Sequence, residues 1–145
     1  MKYTNEVIIS RPLAEVVEQF DSEENLYKWM TGLTNYEHLS GTPGQPGAKA
    51  VLTVKMGKRE MQMTETILKR NLPEEFTGVY ETPGVENIQV NRFEETTEGH
   101  TRYICETEFK FERLSMKIIS KLFPGAFKKQ SLGFMNSFKN FVEGR

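Results

Sequence analysis

Few side chains in this sequence could do acid–base, nucleophilic or metal chemistry, and they are scattered. The only two histidines are His38 and His100. Neither belongs to an HExxH pair or a carboxylate cluster, so no metal ligand set is expected. The one cysteine, Cys105, has no partner for a disulfide within the chain. A nucleophilic thiolate would need a base beside it, and none is in view. Cys105 therefore reads as a small buried hydrophobe. Glu65 shares an alternating face with Met61, Met63 and Ile67. A carboxylate on such a face is costly unless it is paired, and there it would suit a general base or a handle for a ligand's polar group. The plainer reading is a bulge that turns Glu65 outward, or a place at a solvated rim.

Arg92 depends on the register of one hairpin. A two-residue turn at Glu98-Gly99 sets Arg92 opposite Cys105, Val90 opposite Thr107 and Ile88 opposite Phe109, all facing inward. A three-residue turn, Thr97-Glu98-Gly99, puts Asn87, Gln89, Asn91 and Phe93 inside instead. The apolar pattern favours the first, because a one-residue slip exposes Ile88 and Val90. Arg92 would then pair with Glu65 or hold an acidic ligand group, unless it reaches water from the strand end. No catalytic constellation is recognisable, and the sequence assigns no catalytic residue, metal or cofactor.

The elements that position these residues follow from periodicity. Ile119, Phe123, Phe127, Phe134, Phe138 and Phe141 recur at helical spacing toward the C-terminus. Pro124-Gly125 interrupts the run, since proline lacks the amide proton of a helix interior. The spacing predicts a short helix or turn before Pro124 and a long helix from there to Val142. A helix so rich in phenylalanine needs an apolar surface to lie on. Earlier, Tyr3 to Ser10 reads as a strand. Ser10 is the expected cap of a short helix carrying Leu13, Val16, Val17 and Phe20. Asp21-Ser22 ends that helix and can cap a second, with Leu26, Trp29 and Met30. Strands are expected over 32–40, 48–56, 59–70, 76–81, 85–95 and 101–111, joined by turns. Short connections imply an antiparallel sheet, with its one apolar face covered by the terminal helix.

A chain of 145 residues fits one domain with one core. Only 37% of it is apolar, but ten Phe, seven Met and five Tyr enlarge what a core can bury. The net charge of -1 leaves no nucleic-acid footprint. Between Arg113 and Lys139 every charged residue is basic. A basic helix covering an acidic sheet explains this. A weak peripheral contact with an anionic membrane near Lys117, Lys121, Lys128 and Lys129 is the sharper alternative. No stretch approaches the roughly 20 apolar residues of a membrane span, and the first residues carry no apolar signal core, so a cytoplasmic protein is expected.

The order strand, two short helices, strand meander, long helix resembles the SRPBCC superfamily, the START-like or helix-grip fold. Arg11-Pro12 with Val16 and Phe20, Trp29, the Gly41–Ala48 turn, Gly99-His100-Thr101-Arg102 and the amphipathic terminal helix carry the likeness over nearly the whole chain. The resemblance implies an α+β fold, with a curved antiparallel sheet of about seven strands wrapped around the C-terminal helix. It implies a cavity between them for a small apolar or amphipathic molecule. The lining is expected from Trp29, Leu52, Val54, Met61, Met63, Glu65, Tyr80 and Arg92. Tyr103, Cys105, Phe123, Phe127 and Phe134 complete it. A carrier or sensor of a hydrophobic ligand is the leading expectation. An enzyme of the polyketide cyclase or dehydratase type, and a co-chaperone-like interaction module, are the alternatives; the sequence points to no particular protein partner. Leu114 to Phe123 is expected to form a movable rim of the cavity entrance.

Overall fold

The computed structural model describes residues 1–145. Seven strands and four helices follow in the order β1 (Lys2–Ile9), α1 (Leu13–Phe20), α2 (Glu23–Trp29), β2 (Leu33–Ser40), β3 (Lys49–Met56), β4 (Arg59–Asn71), β5 (Glu75–Thr82), β6 (Val85–Glu95), β7 (Thr101–Phe111), α3 (Leu114–Leu122) and α4 (Pro124–Glu143). The strands form one antiparallel sheet in the order β1-β7-β6-β5-β4-β3-β2. From β2 to β7 each strand pairs with its neighbour in sequence, as short turns require. Only β1 departs from that order, because α1 and α2 carry the chain from one edge of the sheet to the other.

The helix ends follow local chemistry. Ser22 caps α2 by accepting from the backbone amide of Asn25 at 3.1 Å. Pro124 opens α4, where its missing N–H leaves no bond unmade. Gly144 closes α4 in the left-handed conformation, φ 77°. Ser10 does not cap α1. The helix starts one residue after Pro12 without a side-chain cap, and the Ser10 amide instead donates to Glu143 Oε2 at 2.7 Å. That bond ties the end of α4 to the end of β1.

The core is divided. One cluster gathers Val7, Ile9, Val16, Phe93, Tyr103 and Cys105 around Met135, Phe138 and Val142 of α4. A smaller one joins Leu33, Ala50, Leu52 and Val54 at the far side of the sheet. The C-terminal half of α4 is packed in that core, whereas its N-terminal half is tied to β1 by Tyr3 and Asn5, sets Phe127 against Phe109 and Phe111, and borders the space above the central strands. The apolar stripe foreseen along the C-terminal segment does not stay on one face. It breaks at Phe123, whose backbone (φ -129°, ψ 53°) is not helical. Ahead of that break α3 turns its apolar side outward. Leu114 is 72% and Phe123 60% exposed, while the residue α3 buries is Ser120.

Candidate functional site

The space between sheet and α4 is a cavity of about 630 Å3, in the range of small-molecule sites. Leu52 and Val54 of β3, Met61 and Met63 of β4, Tyr103 and Cys105 of β7, and Phe127 and Phe134 of α4 line it, together with Trp29. Each strand contributes alternate residues, so the apolar lining is the inner face of the pleat. Aromatic rings close the end nearest the core. Phe20 meets Phe93 edge-on at 4.9 Å and Phe138 at 5.5 Å, and Trp29 meets Phe138 at 5.1 Å. Six of the seven methionines lie on the wall: Met30, Met56, Met61, Met63, Met116 and Met135. Their flexible thioethers give the wall an adaptable shape.

One polar row crosses this lining. Glu65, Tyr80 and Asn87 are directly paired on β4, β5 and β6. Glu65 is buried, and its carboxylate is satisfied by two phenols. Tyr36 Oη donates to Oε1 at 2.7 Å, and Tyr80 Oη donates to Oε2 at 2.8 Å. Hydrogen bonds of this charged kind offset the cost of burying a carboxylate. Burial, followed by the Glu65 charge, raises both tyrosine pKa values above the ordinary phenol range, so each hydroxyl stays a donor. Gly78 has a steric role here. A Cβ at Gly78 would lie 3.2 Å from the Tyr80 ring, closer than ordinary contact, so glycine lets the ring lie back along the strand. Tyr103, its pKa also raised by burial, donates to Asn91 Oδ1 at 2.7 Å. Asn87 Oδ1 and Trp29 Nε1 are buried without a hydrogen-bond partner.

Burial pushes the Cys105 thiol up to about 11, against a weaker opposing contact with Thr107. It stays protonated at neutral pH, which makes it a poor nucleophile. His38 and His100 lie outside the lining. No group of three or more His, Cys, Asp or Glu side chains converges anywhere in the fold.

Two expected lining residues stand elsewhere. Arg92 faces the convex side, where it pairs with Glu106 at 3.2 Å. The hairpin takes the three-residue turn. Thr96 and His100 close it, the Thr96 hydroxyl accepts from the His100 amide at 3.1 Å, and Gly99 adopts φ 78°. Asn91 therefore faces Cys105, and Gln89 faces Thr107. Ile88 and Val90 are the outward residues, tolerated because Ile88 pairs with Val79 and shares the convex face with Ile104. Phe123 is exposed rather than in the cavity, because it ends α3 at the break before Pro124. The periodicity also missed Tyr36. A register shift after Leu33 changes the phase of β2 and turns Tyr36 inward.

Solved structures share this architecture at low identity. The aromatase/cyclase ZhuI from Streptomyces sp. R1128 matches with a TM-score of 0.80 and 13% identity, over 99% of this chain and 93% of that one. Ara h 8.0201 matches with a TM-score of 0.77 and 14% identity, over 100% and 99%. A Staphylococcus aureus protein of unknown function, SA2116, matches with a TM-score of 0.79 and 14% identity, over 99% and 94%. No curated protein matches the sequence. The profile of one family, described as polyketide cyclase/dehydrase and lipid transport, matches residues 1–136. The chain belongs to that polyketide cyclase/dehydrase and lipid-transport family.

Proposed function

We propose that this protein binds a small hydrophobic or amphipathic molecule in the cavity between the sheet and α4, as a carrier or sensor. The observation that carries this is the cavity itself: about 630 Å3, walled mainly by apolar and methionine side chains, with the Glu65 carboxylate held among them by two phenols. A space of that size held open by a divided core sacrifices packing contacts, which a protein without cargo would be expected to fill. The family description, with its cyclases and lipid transporters, supports the same reading. The sole tryptophan lines the cavity and reports on it. Titration with decanol below its solubility limit should shift Trp29 emission saturably, with one site per chain. An unsaturable or absent response would contradict cavity binding. An enzyme of the cyclase or dehydratase type would draw on Glu65 as its base. Both Glu65 oxygens already accept from tyrosine hydroxyls, which favours a binding role.

A second reading concerns α3. Leu114, Ile118 and Leu122 form an outward stripe with Lys117 and Lys121 beside it, and Lys128 and Lys129 follow on α4. Met116 of the same helix reaches the cavity wall. We propose that α3 touches an anionic lipid surface and forms the movable rim through which cargo passes. Each lysine near such a surface contributes about 1 kcal/mol, which gives weak, salt-sensitive contact. Sedimentation with phosphatidylserine vesicles at low salt, lost at high salt and in Lys117→Glu/Lys121→Glu, is the expected result. Equal binding to neutral vesicles, or none, would contradict it. No helix of the protein is long and apolar enough to cross a membrane.

A further inference from the structure

The polar row around Glu65 turns lone pairs toward the cavity; the lining's one buried donor without a partner, Trp29 Nε1, lies on α2. Tyr36 and Tyr80 have one hydroxyl proton each, and both protons are given to Glu65. Of the two, Tyr80 lines the cavity, and its oxygen can offer a ligand only lone pairs. An ionised carboxylate accepts at about four lone-pair sites, and the two phenols use two of them. In the same cross-strand row Asn87 Oδ1 is buried and accepts from nothing. The Tyr103 hydroxyl proton is spent on Asn91, and one of the two Asn91 Nδ2 protons goes to the Phe76 carbonyl at 3.2 Å. The charges around the wall agree. Asp21, Glu23 and Glu65 stand against Arg70 alone, and Arg70 is held by Asp21 through two hydrogen bonds.

We propose that the cavity selects an amphiphile whose polar end is a cationic hydrogen-bond donor, an alkyl- or arylalkyl-ammonium, over a carboxylic acid of the same length. This rests on the ligand-binding reading above and specifies its cargo. An ammonium brings three donors and no acceptor, which complements the lone pairs of Glu65, Tyr80 and Asn87. It also brings the opposite charge to a carboxylate that is already desolvated and fixed by two phenols, so little further ordering is needed on binding. A ligand carboxylate would lose its water, meet a like charge, and find the two phenol protons already committed. A neutral alcohol falls between, since it donates one hydrogen bond without the charge.

The test uses decylamine, decanol and decanoate, below micelle formation at neutral pH, with Trp29 emission and thermal shift as independent readouts. Decylamine should bind most tightly and decanoate at least tenfold more weakly. In Glu65→Gln the amine should lose about tenfold and the gap to decanoate should narrow. Tyr80→Phe, which removes one donor to Glu65 while keeping the carboxylate, should retain the order of the three ligands. The wild-type comparison stands even if a variant fails to fold. Decanoate binding as tightly as decylamine would overturn the assignment while leaving cavity binding intact. Silence from all three amphiphiles would overturn both.

Discussion

At the scale of single residues, the chemistry here lies in which groups are satisfied and by what. Alternation offered Glu65 as an inward carboxylate among methionines, against a plainer outward reading, and it gave none of its partners. Tyr36 comes from a strand whose phase is changed by a bulge, and no period-2 pattern carries that information. Arg92 was misplaced because Ile88 and Val90 read as an inner face. They face the convex side, Ile88 opposite Val79 and Val90 opposite Thr77, and the turn chemistry of Thr96 and Gly99 sets the register. Glu143 shows how one residue can govern stability. Its side chain is only 2% exposed. Burial alone would raise its pKa, but the Ser10 amide together with Arg145 and Lys139 outweighs burial and holds it below the ordinary carboxylate value of 4.5. A carboxylate with a depressed folded value stabilises the fold above its unfolded value, and that stability is lost as pH falls through the folded value. Glu143→Gln should therefore lower stability by about 1–3 kcal/mol at pH 7. The difference should shrink as the pH falls below about 4. Chemical denaturation at pH 7 and at pH 3.5 checks this, and a gap that widens on acidification would contradict it.

At the scale of elements, α3 and α4 look alike in sequence and do opposite things. Both carry apolar residues at helical spacing, and periodicity alone joins them into one stripe. The backbone break at Phe123 separates them, so α4 buries Phe138 completely while α3 presents Leu122 to solvent. Where the break would leave each face could not be read from the residues, because it depends on one pair of backbone angles. The contrast can be measured. Phe138→Ala removes a ring that touches Phe20, Trp29 and Tyr103, and it should cost about 3–5 kcal/mol. Leu122→Ser, on an exposed position, should change stability by no more than about 0.5 kcal/mol. Urea denaturation of the two variants distinguishes them. A large loss from Leu122→Ser would mean that α3 packs against the body of the protein. Hydrogen exchange across residues 117–126 as slow as that of the central strands would likewise exclude a movable rim.

At the scale of the whole molecule, the fold was legible because it depends on coarse quantities: element order, turn positions and one apolar sheet face. All seven strands and the long terminal helix fall where alternation and helical spacing place them, to within a residue or two. The cavity was less legible, because its walls come from nine elements whose mutual distances no local pattern encodes. The distribution of methionine is its clearest sign: Met1 alone lies outside the wall. That distribution supplies a direct measurement. In protein labelled with 13C at the methionine methyls, saturating decanol should move the resonances of Met61 and Met63 on β4 and of Met135 on α4, while Met1 stays in place. A ligand enclosed between sheet and helix must perturb methyls on both sides. If no cavity methyl moves, or if Met1 moves as far as the rest, the molecule binds elsewhere and the account of an internal ligand site is wrong.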